Sequence, residues 1–387
     1  MKRGIPWDAS FLHFLIGANM SVYIHGGIRT PIGVLNGQYR NMRPEMLGAQ
    51  LIDELINRYD ISQVDGIFCG NAVGTGGNIG RLMGLMTKLP NSVPAITVDM
   101  QCASALMSIE MAYAHIASGV MDSAIAGGIE SSSLQPDRMY AAGDDREGLY
   151  KVAQFSPQDC SPLAMLEGAE RTIQKHNVLK EDLYPYIIGS HKRASEALNN
   201  PHLKSYIMPI TIDGKACVDE CIRPKMNEKL LSRMKPLLGP NSITNAGNAC
   251  LTHDGAAFVY VSNEKGPFRI HSVMPWAGNP QFSPEGALES TEAILKRTGL
   301  TMDDIDVVEW NEAFAIIDVL FNKAYPKHLE KYNKLGGALA YGHPYGCSGA
   351  ILVLHCMAAL ESCNGRYGLC AIAGAGGTGT ALIMERM

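Results

Sequence analysis

One cysteine stands where a nucleophile could be held. Cys102 follows the apolar segment SVPAITVDMQ, which predicts a strand, and precedes ASALMSIEMAYAHIASG, which predicts a helix rich in small residues. A thiol at a helix N-terminus lies at the positive end of the helix dipole, and this position favours the thiolate. The sequence therefore predicts a nucleophilic thiol on a rigid strand–helix turn, and a buried structural cysteine is the alternative.

Two segments near the C-terminus carry side chains that could serve such a thiol. His343 lies between Gly342 and Pro344 within residues 336–349, a stretch of fourteen residues with five glycines. Such a loop holds its backbone tightly around the imidazole, which predicts a general base. Asn311 follows the predicted strand IDVVEW, and αβ sheets place their sites where strands end. The alternative role for Asn311 is to cap the next helix.

Several other motifs are weaker. Residues 374–379 match GxGxxG after a predicted strand, but TALIMERM, another predicted strand, follows instead of a helix, so we exclude a dinucleotide site. Cys217 and Cys221 form a close pair without a second pair, which argues against a metal site. The ten cysteines are sparse, and several lie in apolar runs, as is typical of reduced thiols in the cytoplasm.

The elements that must position these residues occur twice in the chain. Residues 51–71 and 292–311 both read as an amphipathic helix, an acidic turn and an apolar strand ending in Asn. Residues 101–129 and 346–377 both read as a cysteine among small residues, an apolar helix, and a short strand ending in glycines. The copies are offset by roughly 245 residues, which predicts a duplicated αβ unit.

The duplication suggests a domain division. The first half comprises residues 20–131 plus 253–266, and the second half comprises 267–387. Residues 132–252 are polar and irregular, with helical stretches, and a long insertion of this kind usually covers a site. A purely decorative insertion is the alternative. Residues 1–19 read as an N-terminal extension, since their short apolar stretch makes a poor secretory signal.

Composition excludes several classes of function. Of the 387 residues, 46% are hydrophobic and 18% are charged, so the chain can bury a large core. The net charge of -5 and the lack of a basic stripe argue against binding to nucleic acid. No stretch of 18 uncharged apolar residues predicts a membrane span. These observations predict a cytoplasmic protein.

The ordered motifs resemble the thiolase family of acyl-CoA acetyltransferases, from about residue 20 to the C-terminus. The motifs that carry this resemblance are residues 29–33, Cys102, residues 127–131, Asp219-Glu220 with Arg223, residues 246–249, residues 254–256, residues 311–314 and the glycine-rich segment around His343. The resemblance implies an α/β protein with the five-layered αβαβα thiolase fold, built from two similar halves. It also implies that the inserted loop domain holds coenzyme A.

The resemblance further implies roles for individual residues. Cys102 would accept the acyl group, His343 would activate it, and Asn311 would position a water near the thioester oxygen. The backbone N–H groups of Cys102 and Ala375 would form a second oxyanion hole. The residues along the coenzyme A or pantetheine path would be Met165, Arg223, Ala246, Cys250 and Phe314. Coenzyme A and acyl-CoA would be substrates in fatty acid and lipid metabolism, with no metal and no tightly bound cofactor.

One departure from the family pattern concerns the second half-reaction. Ala373 aligns with a second cysteine of thiolases that moves a proton on the incoming acetyl-CoA or coenzyme A. Cys370 lies three residues earlier on a predicted strand, so it should face the other way. The base would then be His343, Cys347 or a water. Further departures are Cys250 and Leu251 in place of Ser-Gly, His253 in place of Asn, and Ala164 in place of His.

These features leave three hypotheses for function. The first is an acyl-CoA C-acyltransferase acting through an acyl group on Cys102. The second is a decarboxylating condensation like that of ketoacyl synthases, whose Cys/His/Asn set resembles Cys102, His343 and Asn311. The third is an acyl-CoA-binding protein without catalysis, which the intact pair of Cys102 and His343 disfavours because a binder needs neither.

The resemblance also predicts a homodimer or homotetramer. Self-association would cover the exposed sheet edge of the half that carries Cys102. Light scattering at micromolar concentration should therefore give at least twice the chain mass of 41.8 kDa. A monomer at that concentration would contradict the prediction.

Overall fold

The computed structural model describes residues 20–157, 161–250 and 252–387. The predicted extension at 1–19, Cys160 and Leu251 lie outside the described residues. The strands are β1 (Tyr23–Arg29), β2 (Gly33–Val34), β3 (Gly66–Gly70), β4 (Ala95–Val98), β5 (Ser123–Ser131), β6 (Arg138–Met139), β7 (Leu149–Tyr150), β8 (Thr211–Ile212), β9 (Lys215–Ala216), β10 (His253–Ser262), β11 (Phe268–Ala277), β12 (Val307–Trp310), β13 (Tyr367–Gly374) and β14 (Thr378–Arg386).

Helices alternate with these strands, as the duplicated pattern predicts. The α-helices are α1 (Pro44–Arg58), α2 (Ile79–Gly84), α3 (Ser104–Ala117), α4 (Ala164–Lys175), α5 (Tyr184–Ala197), α6 (Pro201–Ser205), α7 (Glu228–Ser232), α8 (Gly286–Thr298), α9 (Ala315–Ala324), α10 (Ala338–Tyr341) and α11 (Tyr345–Cys363). Short 3-10 helices are Glu181–Leu183, Pro280–Glu285, Pro326–Lys331 and Ala375–Gly377. The predicted strand at the C-terminus is β14, which removes the helix that a dinucleotide site needs.

The main sheet consists of two half-sheets joined along a short seam. Its strand order is β12-β13-β14-β11-β1-β10-β5-β3-β4, and β2 pairs with β10. Strand β1 meets β11 through only two residue pairs, Tyr23 with Arg269 and Ile24 with Phe268. In each half, parallel pairs at the outer end (β3 with β4 and β5, β12 with β13) give way to antiparallel pairs toward the seam.

Helices fill three layers around the half-sheets. The apolar helices α3 and α11 pack against each other between the half-sheets, in a core that includes Leu106, Ile109 and Val353. Helices α1 and α2 cover the outer face of the first half-sheet, while α8 and α9 cover that of the second. This arrangement confirms the predicted five-layered αβαβα architecture. The domain boundaries proposed from the sequence stay predictions.

Strand β13 shows how the alternation of side chains builds two of these layers. Cys370 and Ile372 face the central core, and the Cys370 thiol lies 3.6 Å from the carbonyl oxygen of Leu352 in α11. Ala373 belongs to the outer core and lies beside Gly286, where α8 begins. Cys370 and Ala373 therefore lie on opposite faces, as their odd offset predicts.

Helix α11 begins directly on the first half-sheet. A Cβ atom at Gly70 or at Gly128 would overlap the carbonyl oxygen of Gly346, so glycine at these positions permits the contact. Helix α11 is the one described helix that is long and apolar enough to cross a membrane, and 83% of its apolar window is buried inside the protein. Its hydrophobicity is therefore accounted for by its place in the core.

A buried ion pair ties the 132–252 insertion to β1. Both oxygens of Asp219 accept hydrogen bonds from the Arg29 guanidinium at 2.9 Å, and Oδ1 also accepts from the backbone N–H of Ile32 at 2.8 Å. The Arg29 side chain is fully buried. Since a guanidinium without water needs a partner, this pair fixes where the insertion lies on the first half.

We expect Asp219→Ala to lower the free energy of unfolding by about 3–5 kcal/mol, because it leaves a buried charge unpaired. Denaturant titration measures the loss. The matched control is Glu54→Ala, which removes the exposed pair with Arg58 within α1 and should cost about 0.3–0.5 kcal/mol. Equal losses in the two variants would contradict the anchoring role of Asp219.

Candidate active site

Cys102 lies on the tight turn between β4 and α3. Gln101, just before it, has a φ of +53°, a left-handed conformation that few residues other than glycine adopt. The Asp99 carboxylate accepts the backbone N–H of Gln101 at 2.9 Å. The Ser104 hydroxyl accepts the N–H of Met100 at 2.9 Å and donates to the carbonyl of Gln101 at 2.6 Å. These bonds hold the turn and place the thiol at the beginning of α3.

A cavity of about 430 Å³ opens at this turn. Six of the residues predicted for the site line it, namely Cys102, His343, Ala375, Met165, Cys250 and Phe314. Much of its remaining wall comes from the insertion, including Val152, Phe155 and Leu163, which supports the interpretation that the insertion covers a site. This space is called the Cys102 cavity below.

A second cavity of about 400 Å³ adjoins the first and shares Cys250 with it. Arg223 and Ala246, both predicted for the coenzyme A path, line this second cavity. Asn311 lines neither cavity, although it contacts His343. The structure therefore brings together eight of the nine predicted residues along two connected spaces and places Asn311 behind the imidazole.

The imidazole of His343 is held from several sides. Gly342 has a φ of +106°, so the turn before His343 needs glycine. The backbone N–H of His343 donates to Nδ1 of His253 at 3.1 Å, and the ring Nδ1 of His343 lies 2.6 Å from the Ser348 hydroxyl. The amide nitrogen of Asn311 lies 3.4 Å from both ring nitrogens. The ring is therefore oriented before any ligand arrives.

Burial sets the electrostatics of the site. It raises the pKa of Cys102 to about 12, against the opposing effect of the backbone N–H groups of Cys102 and Ala375. The backbone N–H group of Cys102 at the helix terminus favours the thiolate, as the sequence predicts, but desolvation outweighs it, so the resting thiol is protonated. Burial, followed by the nearby His253, lowers the pKa of His343 to about 3. A neutral imidazole and a protonated thiol thus line the same cavity, and general-base catalysis requires these two protonation states.

Asn311 and Glu312 have separate tasks. Helix α9 begins at Ala315 with Phe314 as its N-cap, so the alternative that Asn311 caps this helix is wrong. The buried carboxylate of Glu312 accepts from the Ser190 hydroxyl at 2.6 Å and from the Asn333 amide at 2.8 Å. Glu312 therefore links α5 to the loop that leads toward His343.

Sequence reasoning missed a buried carboxylate at the end of β5. Glu130 accepts hydrogen bonds at 2.9 Å from the backbone N–H groups of Ala72 and Gly346 and from the side chain of Asn71. Burial raises its pKa to about 7. The carboxylate joins the start of α11 to the first half. Glu130 belongs to the motif at 127–131, but no role of its own was predicted for it, although an acidic residue in the apolar segment SAIAGGIES was a signal.

A thiol–imidazole pair was also missed. The Cys221 sulfur lies 2.8 Å from Nε2 of His253, whose other ring nitrogen accepts the backbone N–H of His343. Both residues line the second cavity. No described group of three or more His, Cys, Asp or Glu side chains could hold a metal ion, and the nine described cysteines are all free thiols.

Comparison with protein families accounts for this arrangement. The family model of the thiolase N-terminal domain matches residues 22–265, and that of the thiolase C-terminal domain matches residues 268–386. The chain belongs to the thiolase family. The two family models meet in the loop between β10 and β11, where the chain passes from the first half-sheet to the second.

Individual relatives agree with this assignment. This thiolase is 32% identical to a putative acetyl-CoA C-acetyltransferase of Staphylococcus haemolyticus, over 92% of this chain and 97% of that protein. It is 33% identical to a steroid 3-ketoacyl-CoA thiolase of Mycobacterium tuberculosis, over 96% of each chain.

Solved structures confirm the fold. The acetyl-CoA acetyltransferase of Bacillus anthracis superposes with a TM-score of 0.89 at 24% identity, over 96% of this chain and all of the other. Human mitochondrial 3-ketoacyl-CoA thiolase in complex with CoA also gives a TM-score of 0.89, at 25% identity over 96% and 99% of the two chains. The expected thiolase fold is therefore confirmed.

The thiols of this thiolase differ in their access to the site. Among the described cysteines, Cys250 is the one that lines the Cys102 cavity together with Cys102. Cys347 is fully buried, and its thiol donates to the Pro344 carbonyl at 3.2 Å. It is not among the residues that line the Cys102 cavity. Of the bases considered from the sequence, His343 has access to the cavity and Cys347 does not.

We expect His343→Ala to slow alkylation of Cys102 by iodoacetamide by about 10²–10⁴-fold, the usual effect of a positioned general base. Since the pKa of His343 is lowered to about 3, the wild-type rate should show no inflection from this imidazole between about pH 5 and about pH 8. Peptide mass spectrometry follows each thiol separately. His25→Ala, a change of a half-buried histidine on β1, is the control and should leave the rate unaltered. An unaltered rate in His343→Ala would assign the base elsewhere.

Proposed function

We propose that this thiolase is an acyl-CoA C-acyltransferase that works through an acyl group on Cys102. The observation that supports this function best is the convergence of four groups on one cavity. These groups are the Cys102 thiol, the neutral imidazole of His343, and the backbone N–H groups of Cys102 and Ala375. A pure acyl-CoA binder needs no such set.

In the first half-reaction, His343 removes the Cys102 proton as the sulfur attacks the thioester carbonyl carbon. The carbon–sulfur bond to coenzyme A then breaks, and the proton on His343 passes to the leaving thiolate. A general base is essential in this step, because the buried thiol is fully protonated near neutral pH.

Developing charge on the thioester oxygen needs donors. The N–H groups of Cys102 and Ala375 lower the pKa of the Cys102 thiol, so they already direct positive charge toward the reacting atoms. In our proposal they form one oxyanion hole, and a water held by Asn311 beside His343 forms the other. Such preorganised donors stabilise charge more strongly in a buried site than in water.

The two connected cavities suit an extended substrate. Met165 and Phe314 give the Cys102 cavity apolar walls, and Ala246 and Arg223 extend the path through the second cavity. Arg138 also lines the Cys102 cavity, so cations are present where a phosphorylated carrier would enter. We propose that residues 132–252 cover bound coenzyme A along this path.

The second half-reaction needs a proton carrier that Ala373 cannot supply. In thiolysis the acceptor is the coenzyme A thiol, and in condensation it is the α-carbon of acetyl-CoA. Cys250 shares the Cys102 cavity, and its thiol donates to the Glu312 carbonyl at 3.1 Å. We propose Cys250 as this carrier. Burial raises the pKa of its thiol well above the usual value, so this thiol must first give up its own proton. His343, neutral again once coenzyme A has left, takes that proton, and the Cys250 thiolate then takes the proton of the acceptor; His343 passes its proton to the Cys102 sulfur as the acyl group leaves.

The decisive experiment measures the two half-reactions separately, with acetyl-CoA and with acetoacetyl-CoA plus coenzyme A. We expect Cys250→Ala to keep the burst of Cys102 acylation and to slow steady-state turnover by about 10²-fold or more. The burst also shows that the variant is folded. Cys370→Ala is the matched control and should change neither rate, because Cys370 faces away from the site.

Other outcomes would change the assignment. Turnover that is unaltered in Cys250→Ala would overturn the role of Cys250 and leave His343 or a water as the carrier. Faster turnover of malonyl thioesters than of acetyl thioesters would replace this function with decarboxylating condensation, which needs no base at carbon. Failure of every acyl-CoA to acylate Cys102 would overturn the acyltransferase function.

A further inference from the structure

A very small cavity lies beside His343, separate from the Cys102 cavity. Its volume is about 10 Å³, which is room for one water molecule. None of the residues that line it belongs to the lining of the Cys102 cavity. Its polar wall includes Glu309, Asn311, Ser348 and His355. Tyr341 also lines it, but its hydroxyl already donates to the Leu335 carbonyl at 3.0 Å. We call it the rear cavity.

The residue spacing at the end of strand β12 and in helix α11 brings these four side chains together. Glu309 and Asn311 are two residues apart at the end of β12, so they share one face, while Trp310 between them packs edge-on against Phe321 in the opposite core. Ser348 and His355 are seven residues apart on α11, which places them on one face of that helix. One face at the end of β12, with Glu309 and Asn311, and one face of α11, with Ser348 and His355, therefore contribute polar groups to the wall of the rear cavity.

Two of these side chains lack the partners that burial demands. Among the described residues, neither carboxyl oxygen of Glu309 nor Nε2 of His355 has a hydrogen-bond partner. Glu309 is fully buried, and His355 is 2% exposed. A buried polar group without a partner is destabilising, so both side chains favour the binding of a polar molecule between them.

The protonation states of these two groups are complementary. Burial, reinforced by Glu312 and opposed by Arg193, raises the pKa of Glu309 well above its usual value. Burial and the nearby Arg29 lower the pKa of His355. A neutral carboxyl group can both donate and accept, and a neutral imidazole offers an accepting nitrogen. One water has enough partners here to be held firmly.

The rear cavity reaches the catalytic imidazole through Ser348. The Ser348 hydroxyl lies 2.6 Å from Nδ1 of His343 and also lines the rear cavity. A hydroxyl has one hydrogen. If that hydrogen is donated into the rear cavity, the oxygen accepts Nδ1–H of His343, and the lone pair of Nε2 is left free to take the proton of Cys102.

We infer that the rear cavity binds one water molecule, which joins Glu309 and His355 to the Ser348 hydroxyl and so keeps the proton of His343 on Nδ1. Glu309 and His355 are positioning residues, since they act on Cys102 only through Ser348 and His343. The inference deepens the proposed function, because it rests on His343 as the base in that reaction. It explains why two buried titratable groups that touch no substrate lie behind the imidazole.

The test uses two readouts that require no acyl-CoA turnover, so it stands apart from the test of the function. Nitrogen-15 NMR of the histidine rings reports the tautomer of His343, and iodoacetamide alkylation reports the reactivity of Cys102. We expect Glu309→Leu, which removes the polar wall, to raise the Nε2–H tautomer and slow alkylation by about 10-fold, the effect of losing one or two hydrogen bonds. Glu309→Gln keeps both kinds of hydrogen-bonding atom and should restore most of the rate.

A double-mutant cycle separates this role from a general loss of packing. In a Ser348→Ala background, where the link is already cut, Glu309→Leu should have little further effect on alkylation. Asp318→Asn is the matched control. The Asp318 carboxyl is also buried, but Asp318 is not among the residues that line the rear cavity. This variant should therefore leave the tautomer of His343 unaltered.

Two results would overturn the inference. One is an unaltered tautomer in Glu309→Leu, and the other is a full additional effect of Glu309→Leu on top of Ser348→Ala. If Glu309→Leu fails to fold, His355→Gln tests the same link, and an unaltered tautomer in that variant overturns the inference as well.

Discussion

The contact between the start of α11 and the first half-sheet is the constraint on which the site depends. Cys102 belongs to the first half of the chain, and His343 belongs to the second. Both line the Cys102 cavity because the Gly346 carbonyl lies against Gly70 and Gly128 with no Cβ atom between, while the Glu130 carboxylate accepts the N–H of Gly346. A side chain at either strand glycine would push α11, and the loop before it, away from the nucleophile.

The same close packing removes water from both reacting groups. Burial raises the pKa of the Cys102 thiol to about 12 and lowers the pKa of the His343 imidazole to about 3. Both groups are therefore neutral when no substrate is bound. In the proposed reaction, charge develops only when the thioester carbonyl lies in front of the backbone N–H groups. Burial therefore makes the reaction depend on the substrate and protects the thiol from unwanted chemistry.

Much of this could be predicted from the sequence because periodicity and local turns are local properties. The duplicated helix–strand pattern predicted the layers, and the turns around Cys102 and His343 singled out two residues that the structure places in the lining of one cavity. The alternation of side chains placed Cys370 and Ala373 on opposite faces of β13. Each of these inferences needs only residues close together in the chain.

What escaped prediction depends on distant contacts. The direction of the Cys102 pKa shift is set by desolvation, which no short segment reveals. Glu130 and Gly346 are more than two hundred residues apart in the chain, and Glu309 and His355 approach each other only after β12 and α11 have packed. The alternative that Asn311 caps a helix fails for a similar reason, because the chain extends through three more residues before α9 begins.

The duplication leaves a natural internal control for cysteine reactivity. Cys347 occupies, in the second copy, the place that Cys102 occupies in the first, since each follows a strand–loop segment and begins an apolar helix of the central layer. Cys347 is sealed inside the protein with its thiol on the Pro344 carbonyl, whereas Cys102 opens onto a cavity with a base. Two thiols in matching sequence patterns therefore differ in one physical respect: Cys102 has access to a cavity and Cys347 does not, and the local motif alone does not reveal this difference.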